Sequence, residues 1–579
     1  MFSGADPRGC TTLVEVLRRR SDRQPERLAY RFLVNGDDVA VEATWADVDR
    51  RARSIAASLQ ARGGARGARV LLLCPPGLDY VAAFYGCLYA EAIPVPAYPP
   101  QPREMRPAMA RLAAVAEDAA ATLVVTTPDV AERAAPLWAA DPRFAAVPWL
   151  HVGELDQAPA SDWDEARGRP DDVALLQYTS GATSHPKGVA LTHANLLHNL
   201  ESIRRYFEFG PDTPGVSWLP LYHDMGLIGC MLEPLYAGFP MTLLSPLRFV
   251  QRPILWLRAI TRYRASMAGA PNFAYELCVS RTTPEQREGL DLSSWRSAFN
   301  GSEAVRADTL QRFAATFGPH GFDARAFRPC YGLAEGSLLV TGSRTPGPRA
   351  FDAARLTQGV AEPAGPDTPD DDVRALVSCG QSWGNEVIVV DAETGTRCPP
   401  GRVGHVWVRG GSVSPGYWNR GRDTESFGAH LATGEGPWLD TGDLGFLQDG
   451  ELFVTGRLKE LVVIRGRKHH PQDIEQTVGG SHPALRAGDA AAFAIEEHGE
   501  EALVVVQAVD RAWLRRLAAA EVSQDVNEAL GRTHGLTART LLFVRPGTIP
   551  RTSSGKIMRT ACRQLFLDGA LAPLAAAEP

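Results

Sequence analysis

The chain has 579 residues, 45% of them apolar and 22% charged, with a formal net charge of −7. That length predicts two or more compact units with a large core, and the even composition excludes a disordered or fibrous chain. Lys and Arg are scattered among acids, so no nucleic-acid footprint is present and no polyanion partner is implied.

Residues 1–10 carry neither the basic nor the continuous apolar segment of a secretory signal, so a cytoplasmic protein is expected. Residues 13–17 and the arginines after them read as a short amphipathic helix. Residues 45–59 repeat the pattern after Thr44, a fitting N-cap. Residues 68–74 form a compact apolar run, 79–90 read as helix and 93–97 as strand. The alternation recurs at 122–127, 257–262, 297–300 and 307–317, which predicts α/β layers with mainly parallel sheets. The most apolar stretch, 227–244, contains Glu233, two prolines and two glycines, and suits a buried segment better than a membrane span. After Cys379, residues 386–390, 404–408, 452–455 and 461–464 read as short strands between Gly-rich turns, a β-rich subdomain. Residues 363–372 are acidic and Pro-rich, too polar to pack, and read as an exposed excursion. Past Gly456, strands at 490–495 and 503–509 and a helix near 524–530 suffice for a small α/β domain. Nine cysteines, with no CxxC or Cys/His cluster, read as reduced and mostly buried thiols.

The segment Tyr178-Thr-Ser-Gly-Ala-Thr-Ser-His-Pro-Lys-Gly188 is built to wrap phosphate oxygens with backbone N–H groups and hydroxyls, while Lys187 adds charge. It lacks the GxxxxGK[ST] spacing of a Walker loop, and residues 189–191 read as a strand. Taken alone it is also a plain polar hairpin turn. Downstream, in fixed order, lie Tyr331-Gly-Leu-Ala-Glu335, Trp438-Leu-Asp-Thr-Gly-Asp443, Gly456-Arg-Leu-Lys-Glu460 and Pro550-Arg-Thr-Ser-Ser-Gly-Lys556. Each is weak singly; the ordered set is not.

With these motifs the chain resembles the adenylate-forming superfamily of acyl-CoA synthetases, firefly luciferase and peptide-synthetase adenylation domains over nearly its whole length. The resemblance implies an α/β adenylate-forming fold: an N-terminal AMP-binding domain over 1–457, with two α/β subdomains and a β-rich one, and a small mobile α+β lid domain over 458–579 hinged at Lys459. It implies ATP and Mg²⁺. Thr179, Ser180, Gly181, Thr183 and Lys187 would hold the ATP phosphates. Asn300, Gly301, Ser302, Glu303, Tyr331 and Gly332 would line the adenine pocket, Asp443 would take the ribose hydroxyls, and Arg457 would help fix the nucleotide. Glu335 and Thr183 would be placed at the metal, and Lys556 would bridge carboxylate and phosphate oxygens in the transition state. Lys556 lies 97 positions beyond Lys459, so lid rotation would bring it in and expel it.

Four further segments resemble fatty acyl-AMP ligases in particular: Ile93-Pro-Val-Pro-Ala-Tyr-Pro-Pro100, Leu219-Pro-Leu-Tyr-His-Asp-Met-Gly-Leu227, Gly269-Ala-Pro-Asn-Phe-Ala274 and Arg465-Gly-Arg-Lys-His-His-Pro-Gln-Asp473. His223 is assigned to acyl-site positioning and gating, with a structural loop role as the other reading, because an ionised carboxylate needs no base. Glu335 and Gly380 are 45 positions apart, about twice the connection of ordinary acyl-CoA ligases. The region 336–378 therefore resembles the insertion held to restrain the lid and disfavour CoA; an inert surface insertion is the alternative. Ala182 and His405 depart from the family pattern; the lost hydroxyl at 182 predicts weakened ATP binding, and Ser184 in place of Gly is familiar in this branch. The expected activity is conversion of a medium- or long-chain fatty acid to its adenylate, then transfer to a separate acyl carrier protein of a polyketide, nonribosomal peptide or lipid pathway. A long-chain acyl-CoA synthetase is the nearest rival; a luciferase-like oxygenase and a non-catalytic nucleotide-binding module are more distant ones.

Overall fold

The computed structural model describes residues 7–63, 66–100, 105–139, 141, 147–165, 168–178, 186–344, 347–369, 372–420, 425–464, 467–497, 500–552 and 555–577. They pack as two compact units, each assembled from separated stretches. The first comprises Met1–Gly347, Cys379–Val387 and Trp407–Thr441; the second comprises Pro348–Ser378, Ile388–Val406 and Gly442–Pro579.

The first unit is layered α/β. Its nine-stranded sheet has a parallel centre, in spatial order Phe327–Gly332, Ser297–Asn300, Met267–Ala270, Gly215–Ser217, Met241–Leu244 and Leu28–Leu33. Antiparallel strands close both edges: Ala40–Thr44 on one side, Leu339–Gly342 and Gln381–Ser382 on the other. A second sheet of Ile93–Pro96, Arg69–Leu73, Leu123–Thr126 and Trp149–His151 is parallel throughout, and its apolar runs are buried on the pattern that two covered faces demand. Thr44 starts the helix Trp45–Ala61 through a capping box with Asp47, a local device contributing about 1 kcal/mol. Helix Leu78–Tyr89 lies so close to it that a Cβ on Gly86 would stand 2.4 Å from the Ile55 side chain.

The apolar stretch around Glu233 folds as Asp224–Leu227, a π-helical turn Ile228–Leu232 and the helix Glu233–Ala237. The Tyr30 hydroxyl donates to the Met231 carbonyl within that turn at 2.7 Å. Among the described residues no helix is long and apolar enough to cross a membrane. All nine cysteines are free thiols, and burial pushes Cys230 up to about 12.

In the second unit, strand Glu500–Val509 alternates its side chains between two cores. Leu503, Val505 and Val509 face helices Pro471–Ser481 and Ala519–His534, while Val504, Val506 and Ala508 face helix Arg559–Leu567. The residues on either side of the acidic excursion are not loop: Pro348–Asp352 and Val373–Val377 pair as an antiparallel hairpin. Phe351 of that hairpin packs edge-on against Phe446 and Phe453 at 5.3 and 5.5 Å, and Arg349 pairs with Asp449 and Glu451 at 2.7 and 2.9 Å. On its other strand Arg374 forms an ion pair with Asp473 of helix Pro471–Ser481.

Candidate active site

Strands Ser297–Asn300 and Phe327–Gly332 are parallel neighbours, so the turns Gly301-Ser-Glu303 and Tyr331-Gly332 emerge together at the carboxyl edge of the large sheet, where ligands of α/β proteins bind. The approach is close enough to require glycine twice. A Cβ on Gly301 would meet Cys330 Sγ at 2.8 Å, and one on Gly332 would meet the Leu338 carbonyl oxygen at 1.8 Å. Ser302 between them is held at φ +71°, a left-handed conformation that a serine adopts at some cost. Glu303 is engaged as a helix cap: its Oε1 accepts the Phe273 N–H at 2.7 Å, at the start of helix Asn272–Arg281.

Ser302, Tyr331 and Gly332 share a wall with apolar side chains. They line a small apolar cavity together with Phe207, Met225, Gly229, Met267, Phe299 and Leu338. Its lining, apolar side chains with Ser302, Asp224 and Tyr331 among them, suits an apolar ligand with a polar end. His223 is half-buried at the N-cap of helix Asp224–Leu227, its ring 4.9 Å from that of Tyr222, and the next two residues, Asp224 and Met225, line the cavity. A Cβ on Gly226 would meet the Pro220 carbonyl oxygen at 2.1 Å, which accounts for glycine in this motif.

The phosphate-loop positions Thr179, Ser180, Gly181, Ala182, Thr183 and Ser184 lie outside the described residues. What flanks them is a hairpin, Val173–Tyr178 with Gly188–Thr192, closed by the pair Tyr178 and Gly188. The Tyr178 hydroxyl donates to Asp118 at 2.6 Å, and burial with that carboxylate pushes its own ionisation up. Lys187 Nζ stands 4.6 Å from the ring centroid of Tyr417, and the Tyr417 hydroxyl donates to Glu335 Oε1 at 2.7 Å. One tyrosine thus touches the loop's cation and the candidate metal carboxylate.

In the second unit Asp443, 5% exposed, lies opposite Arg457 in antiparallel register and pairs with it at 2.9 Å. Lys459 sits in the turn Leu458–Glu460. Lys556 lies on a turn tied at its ends, its N–H donating to Thr552 Oγ1 at 3.1 Å and its carbonyl accepting the Thr552 N–H at 2.7 Å. Three residues on, Arg559 makes two bonds of 2.7 Å to Glu475 and one of 2.8 Å to Glu460, the neighbour of Lys459. Asp473 is raised by burial but held below the usual carboxylate range by Arg374, His470 and His534. Tyr417, Arg559 and Arg374 were not singled out from sequence. The run Ser414-Pro-Gly-Tyr-Trp-Asn419, a Pro-Gly turn followed by two aromatics, is a signal that could have led to the first; nothing local marks the other two.

The first unit holds the paired turns at the sheet edge beside an apolar cavity, and the second holds the Asp443–Arg457 pair and Lys556. Comparison with known proteins bears on the class directly. The AMP-binding enzyme family profile matches residues 17–418, and the profile described as Disco-interacting protein 2-like, AMP domain, matches 459–575. The chain is 43% identical to the medium-chain-fatty-acid–[acyl-carrier-protein] ligase JamA of Moorena producens, covering 97% of this chain and 96% of that one. It is 37% identical to the putative fatty-acid–CoA ligase FadD21 of Mycobacterium tuberculosis, covering 96% and 98%. Its structure is similar to the crystal structure of the fatty acyl-adenylate ligase from Legionella pneumophila in complex with acyl adenylate and pyrophosphate, with a TM-score of 0.75, 38% identity and 98% of each chain covered. The chain belongs to the AMP-binding enzyme family, in its fatty acyl-AMP ligase branch.

Proposed function

We propose that the protein activates a medium- or long-chain fatty acid with ATP, releasing pyrophosphate, and passes the acyl group from the adenylate to the phosphopantetheine thiol of a separate acyl carrier protein. The observation that carries this reading is the apolar cavity that shares Ser302, Tyr331 and Gly332 with the nucleotide edge. An acyl chain lying there would direct its carboxylate toward the turns that the reading assigns to the nucleotide.

The chemistry is charge management. A carboxylate oxygen attacks the α-phosphorus, the bond to pyrophosphate breaks, and no proton moves. Two anions must be brought together, so cationic residues and in-line positioning do most of the work. Lys187 neutralises the departing phosphates, Lys556 bridges the carboxylate and α-phosphate oxygens, and Asp443 with Arg457 orients the ribose. Glu335 suits Mg²⁺, a hard cation that takes oxygen ligands: Oε1 is fixed by Tyr417, and Oε2 has no partner among the described residues. With Thr183 it would hold the ion, which supplies charge neutralisation to the phosphates. In the second step the carrier's thiol loses its proton to solvent, the thiolate sulfur attacks the acyl carbonyl, and the C–O bond to AMP breaks with its electron pair leaving on the AMP phosphate.

Preference for a carrier over CoA rests on the hairpin of the insertion. It touches chain on both sides of the proposed hinge at Lys459: Phe351 packs on Phe446 and Phe453 before it, and Arg374 pairs with Asp473 after it. Contacts that straddle a hinge oppose rotation about it. The test is the product made from ATP, fatty acids of graded length and CoA. Accumulated acyl-AMP, discharged by a carrier protein, is expected; abundant acyl-CoA would establish the rival synthetase reading.

A further inference from the structure

Segment 412–418 ties together two pieces of chain that the reaction requires to act in concert. The Trp418 N–H donates to the Gly188 carbonyl at 2.7 Å, and the Ala190 N–H donates to the Gly416 carbonyl at 3.1 Å, so the segment lies along the strand that leaves the phosphate loop. The Ser414 N–H donates to the Glu335 carbonyl at 2.8 Å, and Ser414 Oγ donates to the Ala190 carbonyl at 2.7 Å. Ser337 Oγ donates to the Ser412 carbonyl at 2.7 Å. The backbone of Tyr417 is thereby fixed between strand Gly188–Thr192 and the Glu335 turn, and its ring is braced edge-on by Phe427 at 5.1 Å. From that position the ring face receives the Lys187 ammonium and the hydroxyl donates to Glu335 Oε1.

We propose that Tyr417 is a positioning residue for adenylation, setting the Glu335 carboxylate for the metal with its hydroxyl and the Lys187 ammonium for the phosphates with its ring. The proposal rests on the adenylate-forming reading of this site. Its logic is that the two contacts are separable. The hydroxyl fixes one oxygen of a carboxylate whose other oxygen is left for a cation, so losing it costs metal-dependent binding alone. The ring holds a cation by its face, a contact indifferent to the hydroxyl. ATP arriving at the loop finds both groups already spaced by one rigid side chain, in place of two flexible ones that must be ordered separately.

The experiment compares Tyr417→Phe and Tyr417→Leu with the natural enzyme, using calorimetric ATP binding with and without Mg²⁺ and steady-state acyl-AMP formation against Mg²⁺ concentration. Tyr417→Phe is expected to leave Mg²⁺-free ATP binding unchanged and to raise the half-saturating Mg²⁺ concentration about tenfold, as loss of a bond to a charged group implies. Its kcat at saturating Mg²⁺ should stay within about twofold of the natural value, since binding rather than chemistry is what the hydroxyl serves. Tyr417→Leu should in addition weaken Mg²⁺-free ATP binding about threefold through the lost ring face. A Glu335→Gln background should abolish the Mg²⁺ effect of Tyr417→Phe on binding. Overturning results are an unchanged Mg²⁺ requirement in Tyr417→Phe, or a Mg²⁺ effect that persists without the Glu335 carboxylate. Should Tyr417→Leu not fold, the Phe variant and the Glu335→Gln background decide alone. Absence of acyl-AMP from the natural enzyme would refute the proposed function, while the binding measurements would still report on Tyr417.

Discussion

Glu233 offers a sharp test of the physical reasoning. Its side chain is 0% exposed, and neither carboxylate oxygen has a hydrogen-bond partner among the described residues. Burial raises its ionisation well above the usual carboxylate range; Glu201 adds to this, while Arg204 and Arg20 oppose it without reversing it. The folded state therefore holds a neutral acid, whereas the unfolded chain ionises near about 4.3. A folded pKa above the unfolded one means that the neutral acid's contribution is complete below the unfolded value and is lost as pH rises toward the folded one. Glu233→Gln keeps the shape and removes the titration. Its stability relative to the natural protein should be about equal at pH 4. It should then grow by about 1.4 kcal/mol per pH unit above about 4.3, until the folded acid itself begins to ionise. Urea unfolding of both proteins at pH 4.5, 5.5 and 6.5, followed by tryptophan fluorescence, measures the slope. A difference that does not change with pH would refute the reasoning and show that Glu233 is charged inside the fold.

Other expectations follow from individual contacts. Lys556→Ala should reduce acyl-AMP formation at least about 100-fold while ATP binding, read by calorimetry, survives, because the charge acts on the transition state. A Cβ at Gly229 meets only Leu338 Cδ2, at 3.3 Å, so Gly229→Leu should fill the cavity and lower kcat/KM for long acids about tenfold relative to short ones in a chain-length series. Arg374→Met removes the ion pair to Asp473, and the fraction of acyl-CoA among products should rise; an unchanged ratio would mean that this pair is not what disfavours CoA. Arg559→Met leaves Glu475 buried and unpaired, and should destabilise the second unit by about 3–5 kcal/mol in denaturant unfolding.

The elements readable in the sequence were those whose causes are local. The helix after Thr44 announces itself through Thr44 and Asp47, which cap each other within four residues. The helix Ala307–Phe317 and the strand Ser297–Asn300 are spelled by their own periodicity. The hairpin strands Pro348–Asp352 and Val373–Val377 escaped because each is only five residues long, with one buried side chain and no clean alternation; what makes them strands is the partner across twenty residues of excursion. The π-helical turn Ile228–Leu232 escaped for a related reason, since its Met231 carbonyl is met by Tyr30, far upstream. At the site, the ordered motifs and the family they resemble pointed to Glu335, Lys187, Asp443 and Arg457 as separate residues. The pairing of Asp443 with Arg457, and the tyrosine shared by Lys187 and Glu335, depend on folding back of the chain that no spacing encodes.

The hairpin at 348–377 also bears on how such enzymes can be recombined. A gene fusion joined at residue 458 would look clean on paper, since it falls next to a hinge. It would nevertheless sever Asp473 from the guanidinium of Arg374 and deliver a C-terminal segment whose half-buried carboxylate keeps only the influence of His470 and His534 among the described groups that hold it down. The heritable module is discontinuous. Residues 348–378 would have to be exchanged with the C-terminal segment, and a chimera that carries both should keep the acceptor preference of the donor of that pair.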